Sequence, residues 1–159
     1  PKATYYYAKM IDDEGNVGFG AFVAAILWGI IKEVDLIVVS MTSDVYNSSL
    51  EETIKKATDS NICVVATSKS HTVFPATFPN VLAVGEGGWN EISDGPFYST
   101  FVEQNYAQGR GPTVATAIAS GLAALVIGQA KKEGKTLKPQ EVYEAVKASI
   151  KKDDDVLVG

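Results

Sequence analysis

Gly111-Pro112-Thr113-Val114-Ala115-Thr116-Ala117-Ile118-Ala119-Ser120-Gly121 is the stretch on which the reading of this chain turns. It opens a run of small and apolar residues of helical length, from about Thr113 to Lys132. Thr113 heads that run and is placed to cap it, its hydroxyl oxygen accepting a backbone N–H. Gly134 is placed to end the helix, because glycine enters the left-handed conformation of a helix terminus without penalty. Pro139 then falls at a first-turn position and opens an amphipathic helix to about Ile150. Lys151-Lys152-Asp153-Asp154-Asp155 reads as a solvated tail.

Upstream of that stretch, strand and helix patterns alternate. Residues 4–11 are rich in tyrosine and read as a strand. Asp12-Asp13-Glu14-Gly15-Asn16 is turn chemistry. Residues 21–32 are strongly apolar and of helical length. Residues 36–41 form the largely apolar run expected of a strand covered on both faces. Ser48 or Ser49 is placed to cap a helix reaching about Thr58, with Glu51 and Glu52 in its first turn. Residues 62–66 and 81–84 read as two further buried strands, the second ended by Gly85-Glu86-Gly87-Gly88. This βαβαβ order predicts an α/β fold: a mostly parallel sheet with helices on both faces. No repeat, low-complexity segment or linker divides the chain, so residues 1–159 read as one domain.

Composition narrows the functional classes. The chain has 159 residues, 46% hydrophobic and 21% charged, enough for a globular core. Its net charge of −5 argues against a nucleic-acid partner, which needs a positive field. No apolar run is read as long enough for a membrane span, and no signal-peptide plan opens the chain, so no membrane association is expected. The single cysteine, Cys63, excludes an internal disulfide and lies in an apolar run, as a buried inert thiol does. These points lean towards a cytoplasmic protein.

The stretch 111–121 resembles the nucleophile motif of the subtilisin-like serine proteases (subtilases), G-T-S-M-A-[ST]-P-x-[VA]-[AS]-G. The resemblance extends along nearly the whole chain. Residues 3–9 with Gly15 and Gly18 are similar to the family's A-x-L-x-A-V-K-V-L strand and D-G-x-G turn. Asp35-Leu36-Ile37-Val38-Val39-Ser40-Met41 is similar to D-V-I-N-M-S-L. Ile62-Cys63-Val64-Val65-Ala66-Thr67-Ser68-Lys69-Ser70 resembles V-V-V-V-A-A-A-G-N. Residues 74–85 resemble Y-P-A-x-Y-P-x-V-I-A-V-G, and Phe97-Tyr98-Ser99-Thr100-Phe101 resembles A-x-F-S-S-x-G. Matches in the family's order and near its spacing imply a subtilisin-like three-layer core without its N-terminal strands.

On that resemblance, Thr113 stands where the family has its catalytic serine, and Ser70 where it has the oxyanion asparagine. Ser40, Met41 and Thr42 line one wall of the implied cleft, and Ser68 and Lys69 the other. Thr42 and Lys69 stand at family glycines and add side chains where a bound peptide would lie. The family's catalytic aspartate and histidine fall before the first matched segment. His71, the one histidine, lies in neither base-bearing segment and reads as a loop residue. A nucleophile needs a base within hydrogen-bond reach, and a threonine methyl crowds the rotamer used in attack.

The resulting expectation is a truncated, catalytically inactive pseudo-protease serving as a protein-binding or assembly module. A protein partner or homo-oligomer is expected, with no cofactor and no metal. The loss of a catalytic half suggests a phage or accessory gene, with the virion as an alternative location. Two other readings stand beside it: a split or residual subtilisin-like serine/threonine peptidase whose aspartate and histidine come from another chain, and a regulator of an active subtilase.

Overall fold

Apolar segments too short to stand alone pair side by side in chain order. They are β1 (Leu36–Val39), β2 (Cys63–Thr67), β3 (Leu82–Gly85) and β4 (Phe97–Ser99). All three pairings are parallel, with Leu36 beside Cys63, Val65 beside Leu82 and Ala83 beside Phe97. The computed structural model describes residues 2–68, 73–85, 97–99 and 112–149. Four helices join or follow the strands: α1 (Phe19–Ile31), α2 (Ser48–Asp59), α3 (Pro112–Lys132) and α4 (Pro139–Ser149).

Successive side chains of a strand point to opposite faces, and β2 shows the consequence. Val64 and Ala66 enter a core with Phe22 and Ile26 of α1 and Leu50 and Ile54 of α2. Cys63 and Val65 enter a second core with Ala115, Ala119 and Ala123 of α3 and Val142, Tyr143 and Val146 of α4. Helices therefore cover both faces, as the βαβαβ order predicts. Each fully buried Leu or Ile contributes about 1.5–3 kcal/mol of apolar transfer.

The ladder between β2 and β3 starts late, and a side chain fills the gap. The Val64 N–H donates to the Tyr143 hydroxyl at 2.8 Å. The one proton of that hydroxyl has two acceptors in reach, the Val64 carbonyl at 3.1 Å and the Asn80 carbonyl at 3.0 Å. Tyr143 is 3% exposed, and burial raises its phenol pKa well above the ordinary value.

The helix ends show where local expectation and structure part. Gly134 adopts φ +70°, with Gly134 N–H donating to Lys131 O and Lys135 N–H to Ala130 O, which closes α3 as expected. Pro139 is the first residue of α4. The cap of α2 is Asn47, whose Oδ1 accepts the Leu50 N–H at 2.9 Å, rather than Ser48 or Ser49. Thr113 is the second residue of α3, which begins at Pro112. It therefore lies inside the helix and does not cap it.

Residues 4–11 form no strand, contrary to the tyrosine-rich pattern. Tyr5 and Tyr7 are 73% and 84% exposed. Tyr6 rests edge-on against the Trp28 ring of α1, and Met10 packs against the core on the α1 side. A strand is defined by a paired neighbour, and no described residue offers this segment a ladder. The expectation about apolar runs also needs correction. α3 is long and apolar enough by composition to cross a membrane; here it packs across β1, β2 and β3 and against α4.

Candidate functional site

The carboxyl ends of the strands and the first turn of α3 meet on one side of the sheet. The contact that registers them joins two threonines. Thr116 Oγ1 donates to the Pro112 carbonyl one turn back, at 2.7 Å. Its single proton is thereby used, so Thr67 Oγ1 is the donor in the 2.9 Å bond between Thr67 and Thr116. Both side chains are buried, at 1% and 0% exposure. The bond pins the start of α3 to the last residue of β2. Ser120 Oγ donates to the Thr116 carbonyl at 2.7 Å and continues the chain of hydroxyls along the helix.

Thr113 lies three residues before Thr116, one turn nearer the helix start, and is exposed. Residues three apart are neighbours on a helix surface, so Thr113 stands beside the pinned end of β2 and faces outwards. The first N–H groups of any helix lack intrahelical acceptors and carry its positive end. Thr113 thus combines an accessible hydroxyl with backbone donors suited to a developing negative charge.

Ser68 follows β2 directly and is 4% exposed. Its N–H donates to Val84 O at 2.7 Å, extending the β2–β3 ladder by one step. A Cβ at Gly85 would stand 3.2 Å from the Ser68 carbonyl, so glycine permits the close approach of the two strand ends. Ser40, Met41 and Thr42 follow β1. Ser40 is exposed, while Met41 and Thr42 are half-buried. Met41 packs against the core on the α1 side.

Beyond Thr42, Ser43 and Phe74 exchange two backbone hydrogen bonds of 3.0 and 2.8 Å in an antiparallel bridge. The bridge ties the segment after β1 to the segment leading into β3. Tyr46 stacks edge-on against Phe74 and Phe78, and its hydroxyl donates to Glu51 at 2.6 Å. That carboxylate raises the Tyr46 pKa.

The structure therefore places Thr113, Ser68, Ser40, Met41 and Thr42 at the carboxyl side of the sheet. Lys69, Ser70 and His71 lie outside the described residues. The Thr67–Thr116 and Ser43–Phe74 links escaped sequence reasoning. Each joins residues far apart in the chain, and no local pattern announces them. Cys63 is 1% exposed, and burial pushes its thiol up to about 12. Among the described residues no group of three or more His, Cys, Asp or Glu side chains could hold a metal ion.

No family model matches the chain. It is 25% identical over 152 aligned residues to Subtilisin DY of Bacillus licheniformis, covering 81% of this chain and 56% of that protein. It is 24% identical to the minor extracellular protease Epr of Bacillus subtilis, covering 79% of this chain and 23% of Epr. The self-cleaved protease domain of PatA superposes with a TM-score of 0.71 at 21% identity, covering 84% of this chain and 60% of that one. The prenylagaramide maturation protease PagA superposes at 0.63 with 23% identity, covering 87% and 59%.

These findings correct the expectation of an inactive protein. The proteins matched are proteases, and this chain spans 56% of the length of Subtilisin DY and 59% of that of PagA. The expectation of inactivity rested on an aspartate and a histidine that would precede the matched segments. A chain spanning 23% to 60% of the proteins it matches is silent about residues outside that span. The parallel sheet, the helices on both faces and the sequence matches agree: the chain is a partial, subtilase-like relative of the subtilisin-like proteases.

Proposed function

We propose that the chain is the nucleophile-bearing part of a subtilisin-like peptidase, with the Thr113 hydroxyl as the attacking group. The observation that carries this reading is the placement of Thr113: exposed in the first turn of α3, on a helix start pinned to β2 by the Thr67–Thr116 bond.

In the proposed reaction Thr113 Oγ1 attacks a peptide carbonyl carbon and gives its proton to a base. The carbonyl oxygen becomes an oxyanion that faces first-turn N–H groups of α3. Collapse of the tetrahedral species breaks the C–N bond, and the departing amine takes the proton back from the base. Water then hydrolyses the ester on Thr113 and restores the hydroxyl. The base and the carboxylate that orients it come from polypeptide outside these 159 residues, because an alcohol without such a base is a poor nucleophile. The β-methyl of threonine narrows the rotamers open to Oγ1, so the serine variant attacks faster.

A fluorophosphonate, which reacts with activated hydroxyls, tests the assignment on the protein purified from native extract with its bound partners. Label is expected on the peptide holding Thr113, absent in Thr113→Ala and increased in Thr113→Ser. No label in any of the three, or equal label in Thr113→Ala, overturns the reading.

A further inference from the structure

A cavity of about 220 Å³ opens between the segment that enters β3 and helix α4. Its floor is apolar: Phe78, Val81, Leu82 and Tyr143 are buried around it. Gln140 and Lys147 of α4 stand at its rim. Leu82 begins β3 and Gly85 ends it, so at about 3.3 Å per residue the cavity lies about 10 Å along the strand from its carboxyl end. Thr113 belongs to that carboxyl side, where Thr67 pairs with Val84 and bonds Thr116. The cavity is therefore separate from the candidate nucleophile.

Two sets of polar groups at its walls are already satisfied. The Tyr143 hydroxyl is engaged by the backbone of Val64 and Asn80. Gln140 Nε2 and Lys147 Nζ both donate to Glu144 Oε1, at 2.9 and 2.8 Å, so the ammonium and the carboxylate at the rim offset each other. Thr77 is different. It borders the cavity, and its Oγ1, shielded from solvent, has no hydrogen-bond partner. Among the described residues it is the one buried side-chain oxygen or nitrogen in that state. A buried hydroxyl left unpaired costs free energy that a partner restores.

We infer that this cavity binds one small uncharged aromatic alcohol, of the size of phenol, with its ring on the apolar floor and its hydroxyl hydrogen-bonded to Thr77 Oγ1. Volume sets the size. A cavity of roughly 150 Å³ lined by apolar side chains holds one benzene ring, and 220 Å³ leaves room for a substituent. The floor sets the ring, which meets the aromatic side chains of Phe78 and Tyr143. The unpaired Thr77 hydroxyl sets the single polar group. The rim sets the charge: a ligand carboxylate or ammonium has to break the Lys147–Glu144 pair or lose its water without compensation. The inference is independent of the peptidase reading, since it concerns the opposite end of β3 and needs no base.

Phenol, benzene and benzoate, titrated at neutral pH into the isotope-labelled 159-residue chain, test this by amide and methyl NMR shifts. Phenol is expected to give saturable shifts at Val81, Leu82 and Tyr143. It is expected to bind about fivefold tighter than benzene, the gain of one added hydrogen bond. Benzoate, of similar size but charged, is expected to bind about tenfold more weakly than phenol. Thr77→Val replaces the hydroxyl by a methyl of the same size, and is expected to erase the advantage of phenol while leaving benzene unchanged. Saturation elsewhere, no saturation, equal affinity for phenol and benzene, or benzoate binding as tightly as phenol overturns the inference. So does a preference for phenol that survives in Thr77→Val. The comparison of the three ligands on the unaltered chain decides the matter without the variant, should the variant not fold.

Discussion

β1 and β2 are built from similar residues and have different surroundings. Leu36-Ile37-Val38-Val39 is as apolar as Cys63-Val64-Val65-Ala66-Thr67. Every residue of β2 is buried, whereas only Val39 of β1 is. Among the described residues, β2 has a paired strand on each side and β1 has one. An apolar run thus marks a strand suited to cover on both faces, and among the described residues β1 is paired on one side only.

The comparison breaks first if the centre and the edge of the sheet respond alike to truncation. Leu82→Ala, in β3 at 1% exposure, is expected to cost about 2–5 kcal/mol by loss of transfer energy and creation of a cavity. Val38→Ala, at 45% exposure, is expected to cost under about 1 kcal/mol in the isolated chain. Urea unfolding of both variants measures the gap. Equal losses would mean that Val38 is already covered in solution.

A smaller effect sharpens the description of β2. Burial raises the Cys63 thiol from 9.0 to about 12. The folded chain then holds a proton that the unfolded chain releases, so this contribution to stability is complete below pH 9 and is lost as pH rises through 12. Tyr143, raised in the same direction by burial, acts with the same sign at still higher pH. Urea midpoints are expected to fall above pH 9, and less steeply in Cys63→Ala. An unchanged slope in that variant would contradict the dry surroundings assigned to β2.

Much of the fold was legible because the signals are local. The apolar runs behind β1, β2 and β3, Gly134 at the end of α3 and Pro139 at the start of α4 each carry their own reason. β4 passed unread as a strand because Phe97–Ser99 has only three residues. Residues 4–11 misled, since tyrosine-rich composition describes what a strand prefers and not whether a neighbour exists to pair with it. The cap of α2 was missed by one position, with Asn47 rather than Ser48 supplying the oxygen. At the site, the positions of Thr113, Ser68 and the residues after β1 were legible through the family resemblance. The Thr67–Thr116 bond that holds Thr113 in place was not, because it joins residues 49 apart. The expectation of inactivity failed for another reason: it treated the span of these 159 residues as the span of the catalytic unit.

Amide exchange in the uncomplexed chain, resolved by residue along β1, goes straight to whether that edge stands open. Leu36 and Val38 are expected to exchange orders of magnitude faster than Ile37 and Val39, whose N–H groups face β2. Uniform protection of all four amides, at every protein concentration, would show that the edge is already covered and would contradict the difference drawn between β1 and β2.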